Sequence, residues 1–427
     1  MIAEILTIGD ELLRGEIVDS NKTQIAERLL SLGVETRFQI SVRDAPADMA
    51  GAFCCAAKRA DVVIVSGGLG PTRDDLTSEV IAETFGHRLS LDETVLASLR
   101  AFFDRLGRPM AENNRKQAYF PEGAEVLPNP IGTAPGFSLE AGGSLFFCLP
   151  GVPRELARML DEQVLPRLAA RRPAGGAQRS MLLRTFGISE SALDLALRDV
   201  ALPKDVTLGF RTAFPDNLVR VVARSTASEK ADAALVRACT GVREHLGAVV
   251  YGEGEPPLAA VVGELLAGAQ KSLAVAESCT GGLLAERIAA VAGASRYFRG
   301  GVVTYSNAAK CALLGVPEAL LSRHGAVSEP VARAMAEAAR ERFGADFALA
   351  TTGISGPTGG SPEKPVGTLF LALAAADGTH AAGTHLPFER ERHRQATAQL
   401  ALDWLRRKLL GLELTLPRSE RQESTRH

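Results

Sequence analysis

Short, unbroken runs of apolar and β-branched residues that stop at glycine recur along this chain, separated by helix-length amphipathic segments. ADVVIVSGGLG (60–70), SLAVAESCTGG (272–282) and FALATTGISG (347–356) are the clearest. A strand that is apolar throughout must be covered on both faces. Such runs alternating with helices therefore predict mostly parallel sheets between helical layers, an α/β architecture. The chain has 427 residues, enough for two or three domains. The pattern runs from residue 1 to about 170 and again from 258 to 412. Between them, residues 178–252 read as β-α-β-β-α-β, a small α+β unit that acts as a spacer or a dimerisation module. Arg171-Arg172-Pro173-Ala174-Gly175-Gly176 reads as a linker and Glu253–Pro257 as a second boundary; 413–427 form a polar, frayed tail.

Lys plus Arg number 48 against 50 Asp plus Glu, a net charge of −2. That balance, without basic-aromatic patches, argues against direct nucleic-acid contact. No run is long enough to span a membrane and no secretory signal opens the chain. Six cysteines without CxxC spacing fit a reduced, cytoplasmic chain without structural zinc.

In the first domain, Gly9-Asp10-Glu11 leading to Asp19-Ser20-Asn21, the stretch Ser66–Asp75, and Gly132–Gly136 bring glycine and acid to strand ends, where ligands collect in open α/β sheets. Glycines admit phosphate to backbone N–H groups, a helix starting at Asp74 offers a positive dipole end, and neighbouring carboxylates suit a bridging divalent cation. The plainer reading makes the Gly67–Gly70 string a tight turn, Asp74 or Asp75 a helix cap and Asp10 a turn residue; Asn21 reads as the N-cap of its helix.

In the last domain, Ala276-Glu277-Ser278-Cys279-Thr280-Gly281-Gly282 delivers a serine to a Gly-Gly turn that opens a helix. Ser278 is either an N-cap or a nucleophile near amides able to hold an oxyanion. Its base would be one of His324, His380, His385 and His393, or Lys310 of Tyr305-Ser306-Asn307-Ala308-Ala309-Lys310. A lysine desolvated among apolar groups can work uncharged; in water it is an ordinary helix lysine. Cys279 reads as a small buried residue and His324 as a loop former. Thr351–Pro357 offers amides and hydroxyls, and one of Arg390, Arg392 and Arg394 can pair with a phosphate.

GDELLRGEIVDSN, SGGLGPTRDD, GTAPG and LPGVPRE together resemble the molybdopterin-binding-like domain that opens the competence-damage-inducible CinA family. ESCTGG, YSNAAK, HGAVSEP, TGISGPTGG and KPVGT, in that order, resemble the nicotinamide-nucleotide amidase domain that closes it. For the first domain the resemblance implies an ADP-ribose pyrophosphatase using a divalent metal (magnesium or cobalt) and potassium. Metal candidates are Asp10, Asp19, Asp74, Asp75 and Glu155; substrate candidates are Asn21, Gly68, Lys116 and Thr133. For the last domain it implies deamidation of nicotinamide mononucleotide without a cofactor. Ser278 would attack, Lys310 and Tyr305 would carry the proton, and Thr280, Gly281, Asn307, Thr352, Gly353 and Arg394 would hold oxyanion or substrate. A homodimer is expected. The alternatives are an active amidase beside a vestigial first domain, or a pterin- or nucleotide-binding scaffold linked to competence.

Overall fold

The computed structural model describes residues 1–171 and 177–416, in two compact units: Met1–Arg179 with Arg224–Ala231, and the remaining residues. Residues 172–176 of the expected linker and 417–427 of the expected tail lie outside the described residues.

In the first unit, β1 (Ile2–Ile8), β2 (Glu35–Val42) and β3 (Val62–Ser66) are joined through α1 (Asp10–Leu13), α2 (Ser20–Ser31) and α3 (Pro46–Ala57). α4 (Thr77–Phe85) and α5 (Glu93–Arg105) follow, with a two-strand ladder of β4 (Leu89–Leu91) and β5 (Tyr119–Pro121). β6 (Glu125–Leu127), β7 (Gly136–Ala141) and β8 (Ser144–Leu149) complete the sheet before α6 (Pro153–Met159) and α7 (Leu165–Arg171). The sheet order is β2-β1-β3-β8-β7-β6. The first four strands are parallel, and β7 runs antiparallel to both neighbours. Period-two alternation splits the core. Leu6, Val63, Val65 and Phe146 pack beneath α3 and α4, while Ile5, Ile64 and Phe147 meet α2, α6 and α7.

The second unit begins with β9 (Ala177–Thr185), α8 (Glu190–Leu197), β10 (Val206–Ala213), β11 (Asp216–Ser225), α9 (Ser228–Leu246) and β12 (Val250–Glu253), forming a sheet in the order β10-β11-β9-β12. After α10 (Leu258–Gly268) come β13 (Leu273–Glu277), α11 (Leu283–Ala289), β14 (Phe298–Val303), α12 (Asn307–Leu314), α13 (Glu318–His324) and α14 (Glu329–Phe343). β15 (Phe347–Gly353), β16 (Thr368–Ala375), β17 (Gly378–His385) and α15 (Arg390–Leu409) finish the chain. This sheet runs β14-β13-β15-β16-β17, with the last two strands antiparallel. Its two faces differ in side-chain size. Alanines 274, 276, 348 and 350 let α14 lie close, whereas Leu273, Val275 and Leu349 meet α10, α11 and the apolar face of α15.

Both large sheets are therefore mixed, more so in the C-terminal domain than a mostly parallel reading allows. β16 is apolar enough to look parallel, but the two-residue turn leading to β17 permits only a hairpin. The cap of α2 is Asp19, which accepts from the Lys22 N–H, and not Asn21. α4 starts at Thr77, so Asp74 and Asp75 belong to the preceding turn and not to a helix end. His324 ends α13 instead of shaping a loop. At the end of the chain Leu414 and Leu416 pack on the core and the Thr415 carbonyl accepts from Trp404, so 413–416 are docked. All six cysteines are free thiols, and no helix among the described residues is long and apolar enough to cross a membrane.

Candidate active site

β13 lies inside its sheet, so its carboxyl end projects residues 277–282 into the rim where β14 and β15 also end. The Ser278 N–H continues the ladder to the Thr351 carbonyl at 2.9 Å, which fixes the serine backbone. The chain then reverses through Gly281 and Gly282 at φ +60° and +98°, a left-handed path that side chains resist. The buried Glu277 carboxylate accepts from the N–H groups of Gly282, Leu284 and Ala285 at 2.8–3.0 Å. It caps α11 and matches the helix dipole. Ser278 is thus not the cap.

The freed Ser278 hydroxyl, 8% exposed, lies 3.0 Å from Lys310 Nζ. Lys310 is 1% exposed on α12 and donates to the Thr304 carbonyl at 2.8 Å. Thr304 is anchored by its own N–H to the Glu277 carbonyl at 2.7 Å. Among the described residues no carboxylate pairs with Lys310, and burial pushes its pKa down. The ordinary solvated lysine does not describe this side chain. An amine with a lowered pKa beside a serine hydroxyl has the arrangement a general base requires.

Other expectations shift. None of the four histidines bonds Ser278; His393 is buried between Ser355 Oγ and the Gly367 carbonyl. Since Gly367 can only accept, His393 Nε2 donates and its Nδ1 accepts from Ser355. Cys279 is buried, which pushes its thiol up to about 12 and leaves it a poor nucleophile at neutral pH. Tyr305 has no hydrogen bond to Lys310 or Ser278: it is 58% exposed and accepts from Arg390. Thr280 and Thr352 turn their hydroxyls inward, to Thr351 Oγ1 at 2.8 Å and the Ala326 carbonyl at 2.9 Å. Arg394 places Nε and Nη2 on the Thr280 carbonyl at 3.1 and 2.8 Å, bracing the turn. Gly281 lies in that turn, Asn307 is exposed on the first turn of α12, and at Gly353 a Cβ would stand 2.7 Å from the Thr368 carbonyl. Sequence reasoning gave no role to Glu277 or Thr304, while Thr351 and Ser355, expected to offer hydroxyls to a ligand, bond Thr280 and His393 instead. A carboxylate five to eight residues before helical N–H groups was the available signal for the first.

In the first unit the glycine string is a cradle. A Cβ on Gly67 would meet the Ile8 carbonyl at 2.4 Å, and one on Gly68 would meet Thr77 Oγ1 at 2.3 Å. Asn21 donates to Ser66 Oγ and the Gly151 carbonyl at 3.0 and 2.7 Å, while its buried Oδ1 has no partner. Lys116 donates to the Thr72 and Asp75 carbonyls at 2.8 and 2.6 Å, so the expected diphosphate cation braces the turn. Thr133 lies 3.5 Å from Gln117 Nε2.

The five expected metal carboxylates all have partners within the chain, and only Asp74 and Asp75 converge, on the Thr72 hydroxyl. Asp10 holds Arg14, Asp19 holds Thr7, Asp74 and Asp75 hold Thr72, and Glu155 holds Asn129. Among the described residues no group of three acidic, histidine or cysteine side chains is placed to hold a metal ion. The residues present do not fit a preformed metal site. Asp44, unforeseen, accepts from the Asp10 N–H at 2.9 Å, and burial, then the charges of Glu11, Asp10 and Asp74, raise its pKa.

Three family descriptions match the chain: a probable molybdopterin binding domain over 4–170, a damage-inducible protein CinA KH domain over 180–252 and the CinA C-terminal domain over 255–409. A CinA-like protein of Geobacter metallireducens is 46% identical over 96% of this chain and 100% of its own. One from an Anaeromyxobacter species is 48% identical over 94% and 98%. The crystal structure of the protein CinA from Thermoplasma acidophilum, described as of unknown function, is 34% identical, covers 39% of this chain and 97% of its own, and has a TM-score of 0.37. With these full-length relatives and all three domain matches in order, the chain belongs to the CinA family.

Proposed function

We propose that the C-terminal domain is a serine–lysine amidase that deamidates nicotinamide mononucleotide to nicotinic acid mononucleotide and ammonia. The carrying observation is the buried Lys310 amine 3.0 Å from Ser278 Oγ; the choice of substrate rests on the motif resemblance. Ser278 Oγ attacks the carboxamide carbon as its proton passes to Lys310. The backbone N–H groups of Cys279 and Thr280, just beyond the nucleophile, face the oxyanion in this reading. Lys310 then protonates the departing nitrogen, ammonia leaves, and an acyl-serine remains. Water adds to the acyl carbon as Lys310 takes its proton, and return of that proton to Ser278 releases the acid. Tyr305 moves from proton handling to the rim, where its exposed ring can stack on the pyridinium. Ammonia release from nicotinamide mononucleotide, compared between wild type and Ser278→Ala, tests the reading; equal rates would end it.

For the first domain the reading is binding of ADP-ribose or another phosphate-bearing ligand at the Gly67–Gly70 cradle, supported by the close backbone approach at Gly67 and Gly68, with the unpartnered Asn21 Oδ1 suited to accept from a ligand hydroxyl. Cleavage to AMP and ribose 5-phosphate belongs to the same proposal, but without a ligand set for the metal no step is derived. Phosphate-product assays with ADP-ribose, with and without magnesium, separate a hydrolase from a binder. A homodimer and a cytoplasmic setting complete the proposal, alongside the small-molecule nucleotides as the only partners.

A further inference from the structure

Within the second unit, a cavity of about 970 Å³ opens between the small α+β sheet and the C-terminal sheet. Neither Ser278 nor Lys310 is among its walls. Its volume matches that of sites that take molecules of nucleotide size. Part of the lining is apolar: Phe186, just after β9, with Val366, Leu386 and Phe388 from the C-terminal domain.

The cavity also holds one distinctive cation. The Arg392 guanidinium lies 4.7 Å from the centroid of Phe214, whose ring packs edge-on against Phe388 at 5.1 Å. Its backbone N–H is used by Glu389, but among the described residues no carboxylate or carbonyl takes its guanidinium. Two carboxylates line the cavity, and both are occupied. Glu190 accepts from Thr212. Asp216 accepts from Tyr251 and Gln399 at 2.5 Å each and from Arg184 at 3.4 Å. The cavity therefore offers apolar lining residues and a guanidinium set over an aromatic ring with its donors unspent.

We infer that this cavity binds an aromatic molecule bearing a phosphate, of the nucleoside monophosphate class, with the ring against Phe186 and Phe388 and the phosphate on Arg392. A guanidinium presents paired donors that suit phosphate oxygens, and Phe214 keeps the side chain ordered before the ligand arrives. The inference does not depend on the reaction at Ser278.

Deuterium exchange of the full chain with millimolar AMP tests it. AMP slows exchange in peptides covering 186–190, 212–217 and 385–392, whereas adenosine and inorganic phosphate do so far less. Arg392→Gln, a change on an exposed side chain, raises the AMP concentration needed by about tenfold or more. Phe214→Leu, which removes the ring under the guanidinium, weakens binding in the same direction. Ser278→Ala leaves the protection unchanged, which separates this site from the amidase. Absence of protection in those segments, or equal protection in wild type and Arg392→Gln, overturns the inference.

Discussion

Replacing Lys310 by methionine, which keeps the side-chain length and removes the amine, connects the site's chemistry to the stability of its domain. Burial holds the Lys310 pKa below the ordinary 10.5. Between the folded and unfolded pKa values the unfolded chain carries a proton that the folded chain lacks. Stability contributed at this position therefore rises with pH through that window and is lowest below the folded pKa. Each unit of depression withholds about 1.4 kcal/mol of stability at lower pH. Methionine abolishes that slope. It also leaves the Thr304 carbonyl and Ser278 hydroxyl short of a partner, a pH-independent loss of about 1–3 kcal/mol. The curves of wild type and Lys310→Met should thus converge toward low pH and separate toward high pH. Urea unfolding followed by Trp404, the chain's only tryptophan, buried on α15, reads the domain directly. In parallel, wild-type kcat/KM should climb with pH along a single basic limb ending below 10.5, and Lys310→Met should lose that limb and about 10²–10⁴ in rate. The kinetic pKa must match the lower edge of the stability window, where the folded lysine titrates. Parallel stability curves, or a basic limb that survives in the methionine variant, would refute an uncharged lysine as the base.

Three further substitutions probe the frame around that pair. Glu277→Gln can no longer accept as a charge from the first turn of α11 and should cost about 1–3 kcal/mol in urea unfolding, more than Ser278→Ala; the reverse order would discount the capping role. Arg394→Gln should lower kcat several-fold and leave KM nearly unchanged, because the guanidinium holds the Thr280 carbonyl. A rise in KM alone would return Arg394 to a phosphate-binding role. Gly353→Ala would bring a methyl to 2.7 Å from the Thr368 carbonyl. It should lose about 1–3 kcal/mol together with most amidase activity, and a neutral result on thermal melting would show that the loop has room.

Much of the site was legible because strand-end chemistry is local. Ser278 follows an apolar run and precedes two glycines, so both its place at a strand-end rim and the sharp turn were readable from neighbouring residues. Lys310 was not comparably legible. Whether a lysine 32 positions away is solvated or buried depends on how β13, β14 and α12 pack, which is set by contacts distant in sequence. The same holds for the hydroxyls of Thr280 and Thr352, expected to face substrate yet turned to Thr351 and Ala326. In the first unit the glycine cradle was readable, since only glycine tolerates the backbone approach found at Gly67 and Gly68. Its carboxylates were not, because each could be claimed by a neighbour: Arg14, Thr7, Thr72 or Asn129.

Sequence alone determined the layered α/β architecture, the order of the elements and the rim on which Ser278 stands, because apolar period and glycine placement act over a few residues. Only the tertiary structure decided which groups lose their water. Desolvation lowers the Lys310 pKa and raises that of Cys279, and burial is a property of the packed whole that no local stretch of chain carries.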